Sequence, residues 1–144
     1  MSWRAPRIFP AMTTPTPPLH PASAPARQMP FFSPVRREGD WAFVSGQMAF
    51  DANLRITGDG VAAQTQVCLA RIADILRTEG LGLADVVKAT VWLARVDDFA
   101  EFNRQYESIF RATTPLAPAR STVRADLMVP DALVEIEVIA RGAA

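Results

Sequence analysis

The sequence predicts one α+β domain in which two helices pack on one face of a mixed, mostly antiparallel β-sheet. Segments rich in strand-forming residues come first, and two segments with helical spacing of apolar residues follow, separated by a strand. Two further strands end the chain. The order strands, helix, strand, helix, strands is typical of helices that cover one sheet face. A length of 144 residues with 49% hydrophobic residues suits a single core.

Residues 1–30 are expected to form an extension outside the folded domain, which we assign to residues 31–144. The extension holds eight of the twelve prolines, separated by Ser, Thr and Ala. Because proline removes backbone donors and few large apolar side chains are present to bury, this segment is predicted to be disordered. The alternative is that Trp3, Ile8 or Phe9 docks on the domain.

The first two strands are predicted within residues 30–51. Turn residues at Glu38–Asp40 come before Trp41–Ser45, a run rich in strand-forming residues. Gly46 follows this run. A glycine at this point indicates either a β-bulge or the close approach of a ligand or another chain to the backbone.

Helical spacing predicts the first helix, with Asp59 as its N-cap and Gly80 as the residue that ends it. Its stripe of core-facing residues consists of Val61, Gln64, Cys68, Leu69, Ile72, Ile75 and Leu76. Cys68 is the only cysteine of the chain. Its place in the stripe predicts a buried, inert thiol, and a reactive nucleophile is the alternative.

A nearly continuous apolar run predicts a strand over residues 85–93, in a central position buried on both faces. The second helix is expected to begin after Val96, with Asp97 as its N-cap. Its apolar stripe, which we assign to the core, consists of Phe99, Phe102, Tyr106, Ile109 and Phe110. Asn103 lies at the edge of this stripe, where spacing alone predicts a surface side chain.

Two strands, Pro118–Val123 and Val134–Ala140, are predicted near the C-terminus. Alternation along the second strand puts Glu135 and Glu137 on the face opposite its apolar residues. Arg120 begins the neighbouring strand and is expected to lie near Glu135. Such a pair can bind a small carboxylate and place a water molecule, or it can be a salt bridge that only joins two strands.

Charge and composition argue against several classes of function. A formal net charge of zero disfavours a nucleic-acid-binding protein that relies on overall charge. No apolar run approaches the roughly 18 residues that a membrane-spanning helix needs. His20 is the only histidine and lies in the Pro-rich extension. The folded part therefore lacks the usual His and Cys zinc ligands and cannot contain a Ser-His-Asp or Cys-His catalytic site.

Several short motifs occur in a fixed order between residues 31 and 140. Pro118–Ser121, which contains Arg120, is followed by Glu135–Glu137 fifteen positions after that arginine. The other motifs are Phe43–Gln47, Ala63–Thr65, Asp85–Val91 and Asp98–Asn103. Together they resemble the RidA/YjgF family, the reactive intermediate deaminases. The resemblance implies a chorismate mutase-like fold and a homotrimer with its sites between adjacent subunits.

The same resemblance implies hydrolysis of reactive 2-imino and 2-enamino acids, such as 2-aminoacrylate and 2-iminopropionate, to 2-keto acids and ammonia. Arg120 would hold the substrate carboxylate, and Glu135 would position or deprotonate the attacking water. Ser45, Gly46 and Asn103 would line the substrate cleft. This chemistry requires no metal or organic cofactor. The expected protein is cytoplasmic, with small-molecule substrates and without nucleic-acid or membrane partners.

Two positions depart from the family pattern. Thr122 stands where the best-studied members carry Cys, and Phe32 stands where they carry Tyr. Both are expected to bind substrate and to shape specificity. Two other classes of function remain open, a non-catalytic protein that binds 2-keto acids or other small carboxylates and an interaction protein that uses the Pro-rich extension. The presence of Glu135 as well as Arg120 favours the enzyme.

Overall fold

The structure is a computed structural model that describes residues 30–143. The chain divides into two units, Met1–Phe31 and Phe32–Ala144. The fold presented below is that of the second unit. The expectations for the Pro-rich extension concern residues that lie outside the described part of the chain.

The second unit contains a five-stranded sheet and two α-helices. The sheet has the strand order β1-β2-β5-β3-β4, in which β3 and β4 are parallel and the other neighbours are antiparallel. This architecture confirms the predicted α+β class. The elements are β1 Val35–Glu38, β2 Trp41–Gln47, α1 Gly60–Thr78, β3 Val86–Leu93, α2 Phe99–Arg111, β4 Ala119–Arg124 and β5 Val134–Arg141, with short 3-10 turns at Leu83–Asp85 and Val96–Asp98.

The core lies between the two helices and one face of the sheet. The predicted alternation in β5 is confirmed, because Val134, Ile136, Val138 and Ala140 are all at most 1% exposed. They pack in one cluster with the buried residues of α1 and α2. We call the opposite side of the sheet the open face, and its side chains include Trp41, Phe43, Thr90, Trp92, Glu135, Glu137 and Ile139.

Helix α1 follows the prediction closely. It begins after Asp59, although the Asp59 side chain makes no capping hydrogen bond. It ends before Gly80, whose φ of +72° is the left-handed conformation that glycine adopts most readily. Cys68 is fully buried. The predicted burial is therefore confirmed, and burial raises the pKa of the thiol to about 12, which disfavours a nucleophilic thiolate.

Helix α2 differs from the prediction at its first turn. A 3-10 turn at Val96–Asp98 precedes the helix, so the N-cap is Asp98 and the prediction of Asp97 was wrong. The Asp98 carboxylate accepts hydrogen bonds from Arg95 at 2.8 and 2.9 Å. The assignment of Phe99 to the core was also wrong, because its side chain is 46% exposed. It lies at the end of the sheet, where an open pocket faces it instead of a packed strand.

Strand β3 occupies an interior place in the sheet, as predicted, but in this chain it is buried on one face only. Val86, Ala89, Val91 and Leu93 are buried against the helices. On the open face, Lys88, Thr90 and Trp92 are half-buried. The apolar character of the strand therefore exceeds what burial in one chain requires, since neither helix covers the open face.

Candidate functional site

Arg120 lies on the edge strand β4, on the side of the sheet that faces the helices. It pairs in register with the buried Ala89, and paired residues share a face. Its Cζ lies 5.2 Å from the centroid of the Phe102 ring and 4.7 Å from that of Tyr106. Its Nη2 donates a hydrogen bond of 2.6 Å to Asn103 Oδ1. Three residues of α2, Phe102, Asn103 and Tyr106, therefore all contact the Arg120 guanidinium and fix its position.

Within the described part of the chain, the arrangement fixes the Arg120 guanidinium while leaving its charge uncompensated by an acidic side chain. None of the four ion pairs within residues 30–143 includes Arg120. Aromatic faces and one amide oxygen stabilise the cation by electrostatic attraction. A guanidinium carries five N–H donors, so donors remain for a planar anion such as a carboxylate.

Thr122 extends this group of residues along β4. It pairs in register with the buried Val91, so its side chain lies on the same face as that of Arg120. Its Oγ1 is buried and has no hydrogen-bond partner among the described residues. A buried hydroxyl without a partner is costly unless a ligand or water satisfies it. We call Asn103, Arg120 and Thr122 the arginine half-site.

Glu135 lies on the open face, where it pairs in register with Trp92. Its carboxylate packs against the backbone of β2 at Gly46. A Cβ atom on residue 46 would overlap Glu135 Oε1 and would lie 3.0 Å from Cδ. The pKa of Glu135 is raised above its ordinary value, first by burial and second by the charge of Glu137. Glu135 is therefore a carboxylate suited to exchanging a proton closer to neutral pH.

Gly46 lies in an irregular part of the sheet, and the predicted β-bulge is confirmed. The register between β2 and β5 shifts between Val44 and Gln47, which makes a bulge. The group that approaches the Gly46 backbone belongs to the chain itself, because it is the Glu135 side chain.

Ser45 is held next to Gly46 by two hydrogen bonds to the segment before β1. Its Oγ donates to the Ser33 carbonyl at 2.6 Å, and its backbone N–H donates to the Pro34 carbonyl at 2.9 Å. Phe32 immediately precedes this segment and is 62% exposed. An open cavity of about 370 Å³ is lined by Ser33, Arg36, Phe43, Val44, Ser45 and Glu137. We call Ser45, Gly46 and Glu135 the carboxylate half-site.

A buried glutamine fixes the start of the strand that carries Glu135. Gln64 Oε1 accepts a hydrogen bond of 2.8 Å from the backbone N–H of Leu133, and its Nε2 donates to the Asp131 carbonyl at 3.0 Å. Gln64 is 3% exposed, so these bonds are shielded from water. The Gln64 side chain therefore holds the backbone two residues before Glu135.

The predicted proximity of Arg120 and Glu135 is wrong for a single chain. Strand β3 lies between β4 and β5, so two interstrand spacings, about 10 Å, separate the two strands. The side chains also point to opposite faces, since Arg120 packs on α2 and Glu135 packs over Gly46. The two groups of residues therefore lie apart within one chain.

Sequence reasoning missed the part played by Phe102 and Tyr106. It assigned both rings to the core, which is correct, since they are 0% and 6% exposed. It did not foresee that the same rings support Arg120. The signal was present in the spacing, because Asn103 and Tyr106 are three residues apart and so lie on one face of the helix.

Within residues 30–143, no group of three or more His, Cys, Asp and Glu side chains is arranged to hold a metal ion. No helix in this part of the chain has the length and apolar character to cross a membrane.

Comparison with known proteins identifies the family. The sequence model of the family described as Endoribonuclease L-PSP matches residues 21–142. The chain belongs to this family. The curated relatives agree with the RidA/YjgF assignment that the motifs predict. The 2-iminobutanoate/2-iminopropanoate deaminase of Salmonella typhimurium is 34% identical over 118 residues, which cover 82% of this chain and 91% of that protein.

Solved structures of the RidA/YjgF family have the same fold. The YjgF protein of Escherichia coli matches with a TM-score of 0.71 and 32% identity, covering 76% of this chain and 87% of that one. The Escherichia coli protein TdcF with bound serine matches with a TM-score of 0.74 and 28% identity, covering 81% and 91%. Names within the family include both deaminase and endoribonuclease, so the activity has to be inferred from the residues of the site and not from the fold.

Proposed function

We propose that the protein hydrolyses reactive 2-imino and 2-enamino acids to 2-keto acids and ammonia. The observation that carries this proposal is the Arg120 guanidinium, which rests on two rings and Asn103 while no acidic side chain within residues 30–143 pairs with it. Such a group suits a small planar carboxylate. The name of the Salmonella relative supports the same chemistry.

The proposed reaction assigns a role to each half-site. Arg120 holds the substrate carboxylate, and Glu135 accepts a proton from the water that attacks the imine carbon. A C–O bond forms as the C=N π bond breaks, and the nitrogen takes up the proton that Glu135 received. The C–N bond then breaks as the hydroxyl of the tetrahedral intermediate passes its proton to the nitrogen, so ammonia leaves and the 2-keto acid remains. Backbone groups near Ser45 and Gly46 contact the polar end of the substrate, while Phe32 borders this group. Imines hydrolyse slowly in water alone, so orientation and modest electrostatic help are sufficient and no cofactor is required.

Within one chain, Arg120 and Glu135 lie too far apart to act on one substrate. A neighbouring subunit can place its carboxylate half-site next to the arginine half-site of the first subunit. We propose a homotrimer in which the arginine half-site of one subunit faces the carboxylate half-site of the next. The open face supports this proposal, since neither helix covers it and Trp41 and Phe43 there are 39% and 43% exposed.

We expect light scattering in physiological salt to report about three chains per particle. The physical reason is the apolar open face, whose burial between subunits stabilises the assembly. Measurements from low micromolar concentration upward separate a stable trimer from weak self-association. A monomer that persists at these concentrations would contradict a site built between subunits.

The function itself is tested by ammonia release from imines generated in the assay by an amino-acid oxidase. The native protein should accelerate release above the spontaneous rate, and heat-denatured protein should not. Binding of 2-keto acids without acceleration would instead support the non-catalytic binder. Cleavage of RNA with no effect on imines would favour the activity in the name of the family model.

The raised pKa of Glu135 predicts the acid limb of the pH profile. A base must be deprotonated to act, so kcat/KM should fall as the pH drops through this pKa, at a pH above the ordinary carboxyl value of 4.5. Glu137→Gln removes the second cause of the shift and should move the limb to lower pH. Glu101→Gln, on an exposed position of α2, is the control and should leave the limb unchanged. An unmoved limb in Glu137→Gln would show that another group sets it.

A further inference from the structure

We propose that an apolar pocket beside the arginine half-site receives the side chain of the substrate, and that the preferred substrates carry branched aliphatic or aromatic side chains. The proposal rests on the function proposed above and extends it to substrate class. The pocket has a volume of about 180 Å³ and is lined by Leu93, Val96, Phe99, Thr122, Val123 and Arg124. We call it the side-chain pocket.

The side-chain pocket lies at the right distance from Arg120. Thr122 follows Arg120 by two residues on the same face of β4, which is about 7 Å along a strand. On the facing helix, Phe99 precedes Asn103 by one turn, which is about 6 Å. A substrate whose carboxylate binds Arg120 can therefore extend its side chain between β4 and α2 into the pocket. About five carbon–carbon bonds, at about 1.5 Å each, span this distance.

The lining of the pocket indicates an apolar occupant. Val96 and Phe99 are 65% and 46% exposed, so two large apolar side chains face an open space. The Val123 side chain alternates to the open face, so this residue lines the pocket from the edge of β4. Arg124 also lines the pocket, but it is exposed to water on the outer part of the strand. An apolar cavity of about 150 Å³ in another protein is large enough to bind benzene, so a volume of this size accepts an aromatic ring.

Thr122 belongs to both the side-chain pocket and the arginine half-site. It lines the pocket two residues after Arg120, and its Oγ1 is buried without a partner among the described residues. The hydroxyl can hydrogen-bond to the imine nitrogen or to a water next to it once a substrate enters. A pocket that served only as a gap in packing would not require a hydroxyl at this position.

The test compares substrates of graded size in the full-length protein. Imines with methyl, isobutyl and benzyl side chains are generated in the assay, and kcat/KM is measured for native protein, Phe99→Ala, Val96→Ala and Met128→Ala. Phe99 and Val96 are exposed, so their loss should not unfold the chain. Met128 is 87% exposed and does not line the pocket, which makes it the matched control.

The native protein should prefer the isobutyl and benzyl substrates to the methyl substrate. Phe99→Ala should lower kcat/KM for the benzyl substrate by about tenfold or more and change the methyl value by less than about twofold, since pocket contacts discriminate side chains by such factors. The control should match native protein for all substrates. Equal losses for all side chains, unchanged ranking, preference for an acidic side chain that pairs with Arg124, or a changed oligomeric state would overturn the proposal.

A second measurement separates this proposal from the proposed reaction. Calorimetry of 2-keto acids with the same side chains reports binding even when no imine is hydrolysed. Tighter binding of the isobutyl and benzyl acids, lost in Phe99→Ala, supports the pocket whatever the enzyme assay shows. Absence of imine hydrolysis together with this graded binding contradicts only the reaction. Affinities that do not depend on the side chain overturn the pocket.

Discussion

Replacement of Arg120 by alanine is expected to lower kcat/KM for imine hydrolysis by about two orders of magnitude or more. A charge-assisted hydrogen bond contributes roughly 1.5–3 kcal/mol, and a bidentate carboxylate contact contains two of them. Arg120→Lys keeps the charge but loses the planar fork, so it should recover only part of the activity. The effect should appear in the steady-state rate of ammonia release.

Stability measurements distinguish a functional arginine from a structural one. Loss of the contacts with Phe102 and Tyr106 removes cation–π attraction of about 0.5–2 kcal/mol, which should lower Tm by several degrees without unfolding the protein. Arg104→Ala is the matched control, because Arg104 is exposed on α2 next to Asn103. Near-native activity of Arg120→Ala would refute the mechanism. Dissociation into unfolded chains would assign Arg120 to structure.

Gly46→Ala is expected to lower kcat by about 100-fold while leaving the protein folded. The new Cβ would overlap Glu135 Oε1, so the carboxylate must move away from its place over β2. The displaced atoms are the far end of a flexible side chain, so the cost in stability is small. Displacement of a catalytic group by about 1 Å is enough to lower a rate by about 100-fold. Steady-state kinetics and a thermal melt measure the two effects on one sample.

Gly82→Ala provides the control for Gly46→Ala. A Cβ on residue 82 would meet nothing within 4 Å, and the φ of −143° is accessible to alanine. It should retain native activity. If Gly46→Ala has native kcat and an unshifted acid limb, Glu135 does not act from the position over Gly46.

The sequence predicted the faces of the strands better than it predicted their neighbours. Alternation in β5 correctly divides Ile136 and Val138 from Glu135 and Glu137. Alternation cannot say which strand lies beside β5, because either edge of a strand offers the same backbone donors and acceptors. The chain from β4 to β5 passes over β3, so two strands that are consecutive in sequence are not paired. The predicted contact between Arg120 and Glu135 within one chain was wrong for this reason.

The same limit applies to Phe99. Helical spacing places it on the same side of α2 as Phe102 and Tyr106. Spacing cannot show how closely the sheet packs beneath the helix, and an open pocket separates the first turn from the ends of β3 and β4. By contrast, the motif resemblance selected Asn103 and Arg120 together, and the structure joins them by a hydrogen bond of 2.6 Å.

We propose that each site combines Arg120 of one subunit with Glu135 of the next, and mixing two inactive variants tests this arrangement most directly. Arg120→Ala retains Glu135, and Glu135→Gln retains Arg120. When equal amounts are unfolded, mixed and refolded together, a cyclic assembly should have both native groups at about a quarter of its sites, because each group is native with a chance of about one half. We predict recovery of about a quarter of native activity in the mixture, measured as ammonia release and absent when the variants are refolded apart. Activity no greater than that of the separate variants would contradict a site shared between subunits.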